Sequence, residues 1–269
     1  MAMCRFFGID VLAMSGIFLL KPWNCCNITI ANWPVFQYNY PMKYFIARFI
    51  VRFVMWLLTT QEIHGFENID PQAKGMIVAS NHIGRLEAAM VYILLNRSDV
   101  MVPVAEKYEK SPFWRFMVKS LNGIFIDRFH ADMAAVRTCL NHIKKGGAVV
   151  IAPEGTRSPT ASLQEGKPGV CYIAVKANAP IIPVGVSGCE DRAVRENFRH
   201  FRRTHLVVNI GKPFSLPPLD NRNREKALAE NTNELMCQIG ALLPPSYRGV
   251  YADQPRLHEL IAQKELEHT

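Results

Sequence analysis

Between residues 76 and 210 short apolar runs alternate with longer stretches of helix-forming residues. The apolar runs fall at 76–79, 100–104, 124–126, 148–152, 181–186 and 206–210. The helical stretches fall at 86–96, 111–121, 131–144, 168–178 and 190–200. This order predicts an α/β layered domain with a mixed, largely parallel sheet flanked by helices. Met76-Ile77-Val78-Ala79 has no polar position, as expected of a strand buried on both faces, and Leu86 to Leu95 carries helix formers without Gly or Pro. Further on, 221–243 reads as a long helix ended by Pro244-Pro245, and 253–269 as a charged, exposed terminal helix.

The first 58 residues follow another pattern. Phe6 to Leu20 is apolar apart from Asp10 and a few small residues, yet falls short of the ~20 residues a spanning helix needs. It reads as a membrane-embedded hairpin arm or a short anchor; no small-x-small cleavage site follows to make it a signal peptide. Residues 22–42 are rich in Trp, Tyr, Asn and Pro, as in an interfacial loop. Lys43 to Leu58 is greasy but interrupted by Arg48 and Arg52, one helical turn apart. Such a helix lies in a membrane interface more readily than it spans, the alternative being a core helix whose arginines reach solvent. The expected organisation is an N-terminal membrane-associated helical segment (1–58), a central α/β domain (59–252) and a charged C-terminal helix (253–269).

Composition narrows the chemistry. With 49% hydrophobic and 20% charged residues the chain is globular and slightly greasy. A net charge of +8 points to an anionic partner: nucleic acid, an acidic membrane surface, a phosphorylated substrate or an acidic carrier protein. No nucleic-acid-binding motif is present, so that class is set aside. Seven cysteines, an odd number without C-x-x-C spacing, argue for free thiols in a reducing compartment. Cys139 and His142 are half a metal site without a second half, so no metal is expected. There is no G-x-G-x-x-G; Gly166-Lys167 is followed by Pro168 rather than Ser or Thr; and no G-x-S-x-G elbow occurs. Dinucleotide, P-loop and serine-hydrolase readings therefore fall away.

What remains is Ser80-Asn81-His82-Ile83-Gly84-Arg85-Leu86-Glu87, a histidine and a carboxylate five residues apart where a strand gives way to a helix. A helix N-terminus disfavours a second proton on the imidazole, which suits His82 to act as a base, and Glu87 on the first turn can fix its tautomer. A capping or packing role is the plainer alternative. Other strand ends deliver cations: Arg128 after Gly123-Ile124-Phe125-Ile126-Asp127, Arg157 in Pro153-Glu154-Gly155-Thr156-Arg157, and Lys107 after 100–104. Guanidinium groups converging from separate strand ends make a phosphate pocket, unless each pairs with a carboxylate such as Asp127.

These blocks, in this order and with Ile181-Ile182-Pro183-Val184 as a fourth, resemble the glycerolipid acyltransferase family of 1-acyl-glycerol-3-phosphate acyltransferases from about residue 43 to about 252. The resemblance implies transfer of an acyl group from a thioester, acyl-CoA or acyl carrier protein, to the free hydroxyl of lysophosphatidic acid. His82 is then the general base and Glu87 stands where the family has Asp. Arg128 and Arg157 then lie on the acceptor's phosphate and Glu154 and Gly155 in its pocket, a structural grip on one of the arginines being the alternative for Glu154; Lys107 is a phosphate ligand by its strand-end position alone. The same reading implies no bound cofactor, lysophospholipid and acyl thioester as substrates, and attachment to the cytoplasmic face of a membrane. Glycerol-3-phosphate or another lysophospholipid as acceptor, and a non-catalytic membrane-binding relative, are the alternatives. Arg192, Arg195, Arg199, Arg202 and Arg203 fall largely on one helical face, either a solvated basic face or a dock for anionic headgroups, coenzyme A phosphates or acyl carrier protein.

Overall fold

The computed structural model describes residues 5–6, 9–14, 17–20, 42–127, 132–220 and 222–267. The chain divides into two compact units, Met1–Tyr40 and Pro41–Thr269. In the first, strands β1 (Arg5–Phe6), β2 (Ile9–Met14) and β3 (Ile17–Leu20) form a three-stranded antiparallel sheet. The expectation of helix before residue 42 is therefore corrected: the described segments there are strands.

The larger unit opens with α1 (Met42–Leu58), which the sequence placed at 43–58. The helix buries Tyr44, Ala47 and Met55, and it belongs to this unit rather than to a separate N-terminal one, so the boundary falls at Tyr40/Pro41 and not after 58. β4 (Thr59–His64), β5 (Met76–Ser80), α2 (Leu86–Leu95), β6 (Val100–Met101), β7 (Pro103–Ala105), α3 (Pro112–Ser120), β8 (Ile124–Ile126), α4 (Met133–Lys144), β9 (Ala148–Ile151), α5 (Gly169–Ala177), β10 (Ile181–Ser187), α6 (Asp191–Arg199), β11 (Thr204–Ile210), α7 (Arg224–Gly240) and α8 (Pro255–Glu267) follow.

Six strands form one sheet in the order β4-β11-β10-β5-β9-β6, and β7 pairs with β8 in a separate parallel ribbon. β10, β5, β9 and β6 run parallel, whereas β11 is antiparallel to β10 and parallel to β4. The expected mixed, largely parallel sheet flanked by helices is the one observed. β5 and β10 are buried at every position, which is why their sequences are continuous apolar runs rather than alternating ones. The core lies between this sheet and α4, α5, α7 and α8, with Ile77, Val149, Cys171, Ile181, Leu235 and Met236 at its centre. α8 adds Leu257 and Leu260 to it, so 253–269 is not the exposed appendage its charges suggested.

Candidate functional site

The site assembles where β5 and β9 end, at the carboxyl edge of the parallel strands, the usual location in open α/β sheets. After Ser80 the chain turns through residues 81–85 before α2 begins, and each peptide of that turn is held. The Asn81 side-chain amide donates to the Val186 carbonyl and its oxygen accepts from Val186 N, both at 2.8 Å, so the side chain copies a strand ladder and fastens the turn to β10. His82 N donates to Glu154 Oε1 at 2.7 Å, and its carbonyl accepts from Ser158 N at 2.7 Å. Thus the 154–158 turn grips the histidine's backbone from both sides.

His82 Nδ1 is hydrogen-bonded to Glu87 Oε1. The other carboxylate oxygen, Oε2, reaches back over the first turn of α2 to accept from Gly84 N at 2.6 Å and Ile83 N at 3.2 Å. Glu87 is only 1% exposed, yet its charge is met by the ring and by two amides that point into the turn, which is how a buried carboxylate is tolerated. The Cys189 thiol, 3.8 Å from Oε2, also faces it. Burial and then the Glu87 charge push the Cys189 pKa up, so the thiol keeps its proton and can donate. A Cβ at Gly84 would meet the Cys189 carbonyl oxygen at 2.1 Å, so only glycine lets the turn pack this closely on the β10–α6 connection.

With Nδ1 engaged, Nε2 is the ring nitrogen available to a substrate. His82, Gly84, Arg85, Gly155, Arg157 and Lys167 line one part of a cavity of about 440 Å³. Most of the remaining wall is apolar, with Val51 of α1, Ala88 and Tyr92 of α2, Val104 of β7, Trp114 and Met117 of α3, and Ile173 of α5. Such a cavity suits a ligand with a long apolar part and a polar end.

The cations distribute differently from expectation. Arg157 lines the cavity and is paired with Asp191, the first residue of α6, which also lies 3.6 Å from Arg85 Nε and accepts from Arg85 N at 3.0 Å. Lys107 is exposed, its ammonium 5.3 Å from the Tyr108 ring centroid, and is not among the residues lining the cavity. Arg128 lies outside the described residues. Glu154 is 3% exposed and serves as a brace rather than a wall of the cavity: beyond His82 N, it accepts from Gln164 N at 3.0 Å. Burial raises its pKa above the usual carboxylate value, against the pull of those hydrogen bonds. Gly155 sits at φ +71 in the tight turn and lines the cavity. Among the described residues no group of three or more His, Cys, Asp or Glu side chains is arranged to hold a metal.

Asn81, Gly84, Lys167, Cys189 and Asp191 were not anticipated as site residues. Lys167 was in view only as a failed P-loop, although its place after the Glu154 turn was a usable signal.

A protein-family model described as Acyltransferase matches residues 61–187. The chain is similar to a probable 1-acyl-sn-glycerol-3-phosphate acyltransferase of Mycoplasma genitalium, 28% identical over 191 residues covering 68% of this chain and 71% of that one. It is also similar to 1-acyl-sn-glycerol-3-phosphate acyltransferases of Cocos nucifera (27%, covering 71% of this chain and 61% of that one) and Pseudomonas aeruginosa (27%, covering 60% and 63%). In these last two the chain spans less than two thirds of the relative's length. The crystal structure of the 1-acyl-sn-glycerophosphate acyltransferase PlsC from Thermotoga maritima matches with a TM-score of 0.53 at 23% identity, over 71% of this chain and 79% of that one, and shows the fold. The histidine–carboxylate turn and the Pro-Glu-Gly-Thr-Arg turn both lie within residues 61–187, the part of the chain that matches the Acyltransferase family model.

Proposed function

We propose that the protein transfers a fatty acyl group from a thioester, acyl-CoA or acyl carrier protein, to the free hydroxyl of lysophosphatidic acid, giving phosphatidic acid. The observation that carries this reading is the His82–Glu87 pair beside a cavity with largely apolar walls and Arg157 on its lining. His82 Nε2 accepts the hydroxyl proton as the oxygen attacks the thioester carbonyl, and buried Glu87 stabilises the imidazolium that forms. Collapse of the tetrahedral intermediate breaks the C–S bond, and the imidazolium returns the proton to the departing thiolate. The substrate supplies the nucleophile, so no acyl-enzyme is needed.

The backbone amides at a helix start are a natural place for oxyanion donors. Those of Ile83 and Gly84 are engaged by Glu87 and that of Arg85 by Asp191, so the role passes to other groups. Arg157 meets the acceptor's phosphate after sharing or exchanging Asp191, with Arg128 as a second phosphate ligand expected from its block.

The substrates also suggest where the protein works. No helix among the described residues is long and apolar enough to cross a membrane. α1 instead leaves Phe45, Phe49, Phe53 and Trp56 exposed on one face, with Phe49 and Phe53 stacked at 6.3 Å, a surface suited to lying in a bilayer interface. Arg48 is turned inward to Tyr44 and Asn96, so of the pair expected to form a cationic face only Arg52 is exposed. The free, buried thiols of Cys139, Cys171, Cys189 and Cys237 suit a reducing compartment and hence the cytoplasmic face.

The test is thiol release from acyl-CoA and from acyl carrier protein with a panel of acceptors. Lysophosphatidic acid should give the highest kcat/KM. Preference for glycerol-3-phosphate or for a zwitterionic lysophospholipid would replace the acceptor, and no thiol release with any acceptor would leave a non-catalytic relative.

A further inference from the structure

Phe201 is 99% exposed at a left-handed turn position (φ 54), and Phe198, one helical turn earlier, is 58% exposed. Arg199, Arg202 and Arg203, all exposed, flank these rings. A basic face needs no aromatic side chain held out in water, so solvation alone does not account for this turn. We propose that the segment Phe198–Arg203 is a second lipid-contacting element, and that with α1 it seats the catalytic end of the sheet on an anionic bilayer.

The sheet's topology places it there. α1 ends at Leu58 and β4 starts at Thr59; the 200–203 turn ends where β11 starts, at Thr204. β4 and β11 are parallel with Thr59 opposite Thr204, so the last turn of α1 and this turn meet the sheet side by side. The Arg203 guanidinium stacks over the Trp56 ring at 4.8 Å and joins the turn to the exposed aromatic row of α1. β11 is antiparallel to β10, with Val207 opposite Ser187, and β10 is parallel to β5, with Val184 opposite Ser80. The amino end of β11 therefore lies at the same edge of the sheet as the carboxyl end of β5, which carries His82. Aromatic rings seat at the headgroup level of a bilayer and arginines pair with its phosphates. An acidic protein partner would account for the arginines but not for the exposed ring at the tip.

The test uses the full chain and vesicles of phosphatidylcholine with or without phosphatidylglycerol, with no acyl transfer measured. Its outcome is thus separate from that of the acceptor assignment. R202E/R203E should bind anionic vesicles at least roughly 30-fold more weakly than wild type, the loss expected from removing two headgroup-facing cations alone, with a much smaller change on neutral vesicles. Phe201→Ser should weaken binding several-fold on both with unchanged thermal stability, since the ring packs on nothing. Phe201→Trp should gain fluorescence quenching by brominated lipids over the wild-type background. Isotherms superimposable on wild type, or no added quenching, would overturn the proposal. So would loss of binding to an acidic acyl carrier protein in R202E/R203E while vesicle binding stays intact, which would assign the turn to an acidic protein.

Discussion

Glu87→Gln isolates the charge of the carboxylate from its shape. The native group is buried and accepts from the His82 ring through one oxygen and from Gly84 N and Ile83 N through the other. An amide satisfies only half of this arrangement. If its oxygen faces the two backbone amides, its NH2 faces Nδ1, which must then lose its proton; the proton moves to Nε2, and the base is blocked. If the NH2 faces the backbone instead, donor meets donor at a buried site, costing about 1–3 kcal/mol. The first arrangement keeps the fold and removes catalysis: the equivalent carboxylate-to-amide change in serine proteases lowers kcat by ~10⁴ through the wrong tautomer. We therefore expect kcat to fall by roughly 10³ to 10⁴ with little change in either KM, and the melting temperature to fall by no more than about 10 °C. Continuous thiol-release kinetics and calorimetry on the same preparation measure both. A folded Glu87→Gln protein with kcat within about tenfold of wild type would refute the reasoning and reduce the carboxylate to an anchor for the turn. Glu87→Asp, one methylene shorter, should retain activity only if the side chain still spans to Gly84 N, so the same assay reads how far the longer residue has shaped the turn.

Arg157→Ala should raise the KM for the phosphorylated acceptor by roughly 10-fold to 150-fold, the worth of a charge-assisted contact, and that for the acyl donor much less; equal effects on both would argue against a phosphate role. Glu154→Gln puts a donor against His82 N or Gln164 N and should lower kcat by ~10²-fold through displacement of the His82 backbone. Because burial raises the folded pKa of Glu154 above its unfolded value of 4.5, the group's contribution to stability is full below that pH and is lost as pH rises through the folded pKa. The stability gap between wild type and Glu154→Gln should accordingly widen on acidification through that window, and a gap that narrows would contradict the burial argument. A chain beginning at Met42 should keep its melting temperature and its sedimentation with anionic vesicles, since Pro41–Thr269 is a compact unit that includes α1. Loss of sedimentation would shift lipid attachment to the residues removed. Deleting 1–58 is the poorer experiment, because it takes away buried Tyr44, Ala47 and Met55.

The parts of the fold that were legible in the sequence are those where burial is continuous along the chain. β5 and β10 are buried at every position, and their apolar runs announced them. β4 was missed because Thr59-Thr60-Gln61-Glu62-Ile63-His64 lies at the edge of the sheet and is mostly exposed, so nothing in it reads as core. The run at 100–104 was read as one strand but serves two sheets, β6 beside β9 and β7 beside β8. α8 hid Leu257 and Leu260 among charges, and hydrophobic fraction alone reads such a helix as solvated. In the site, His82 and Glu87 could be found because their pairing is local, set by five residues of turn and helix start. Asp191 and Val186 could not, because they reach Arg157 and Asn81 across 34 and 105 residues of chain, through a strand order that no local pattern encodes. Glu154 was legible as important but not in its role; that it clamps the histidine's backbone follows only from the adjacency of β5 and β9.

The central claim is that His82 drives transfer of an acyl group from a thioester to lysophosphatidic acid. The most direct measurement is mass spectrometry of the lipid formed when purified wild type and His82→Ala are each given isotopically labelled lysophosphatidic acid and an acyl thioester. His82 lies on a turn fixed through its backbone, so the alanine variant should remain folded. Labelled phosphatidic acid from wild type, with at least about a thousandfold less from folded His82→Ala, is the predicted result. Phosphatidic acid formed at comparable rates by both, or none formed by wild type with either acyl-CoA or acyl carrier protein, would contradict it.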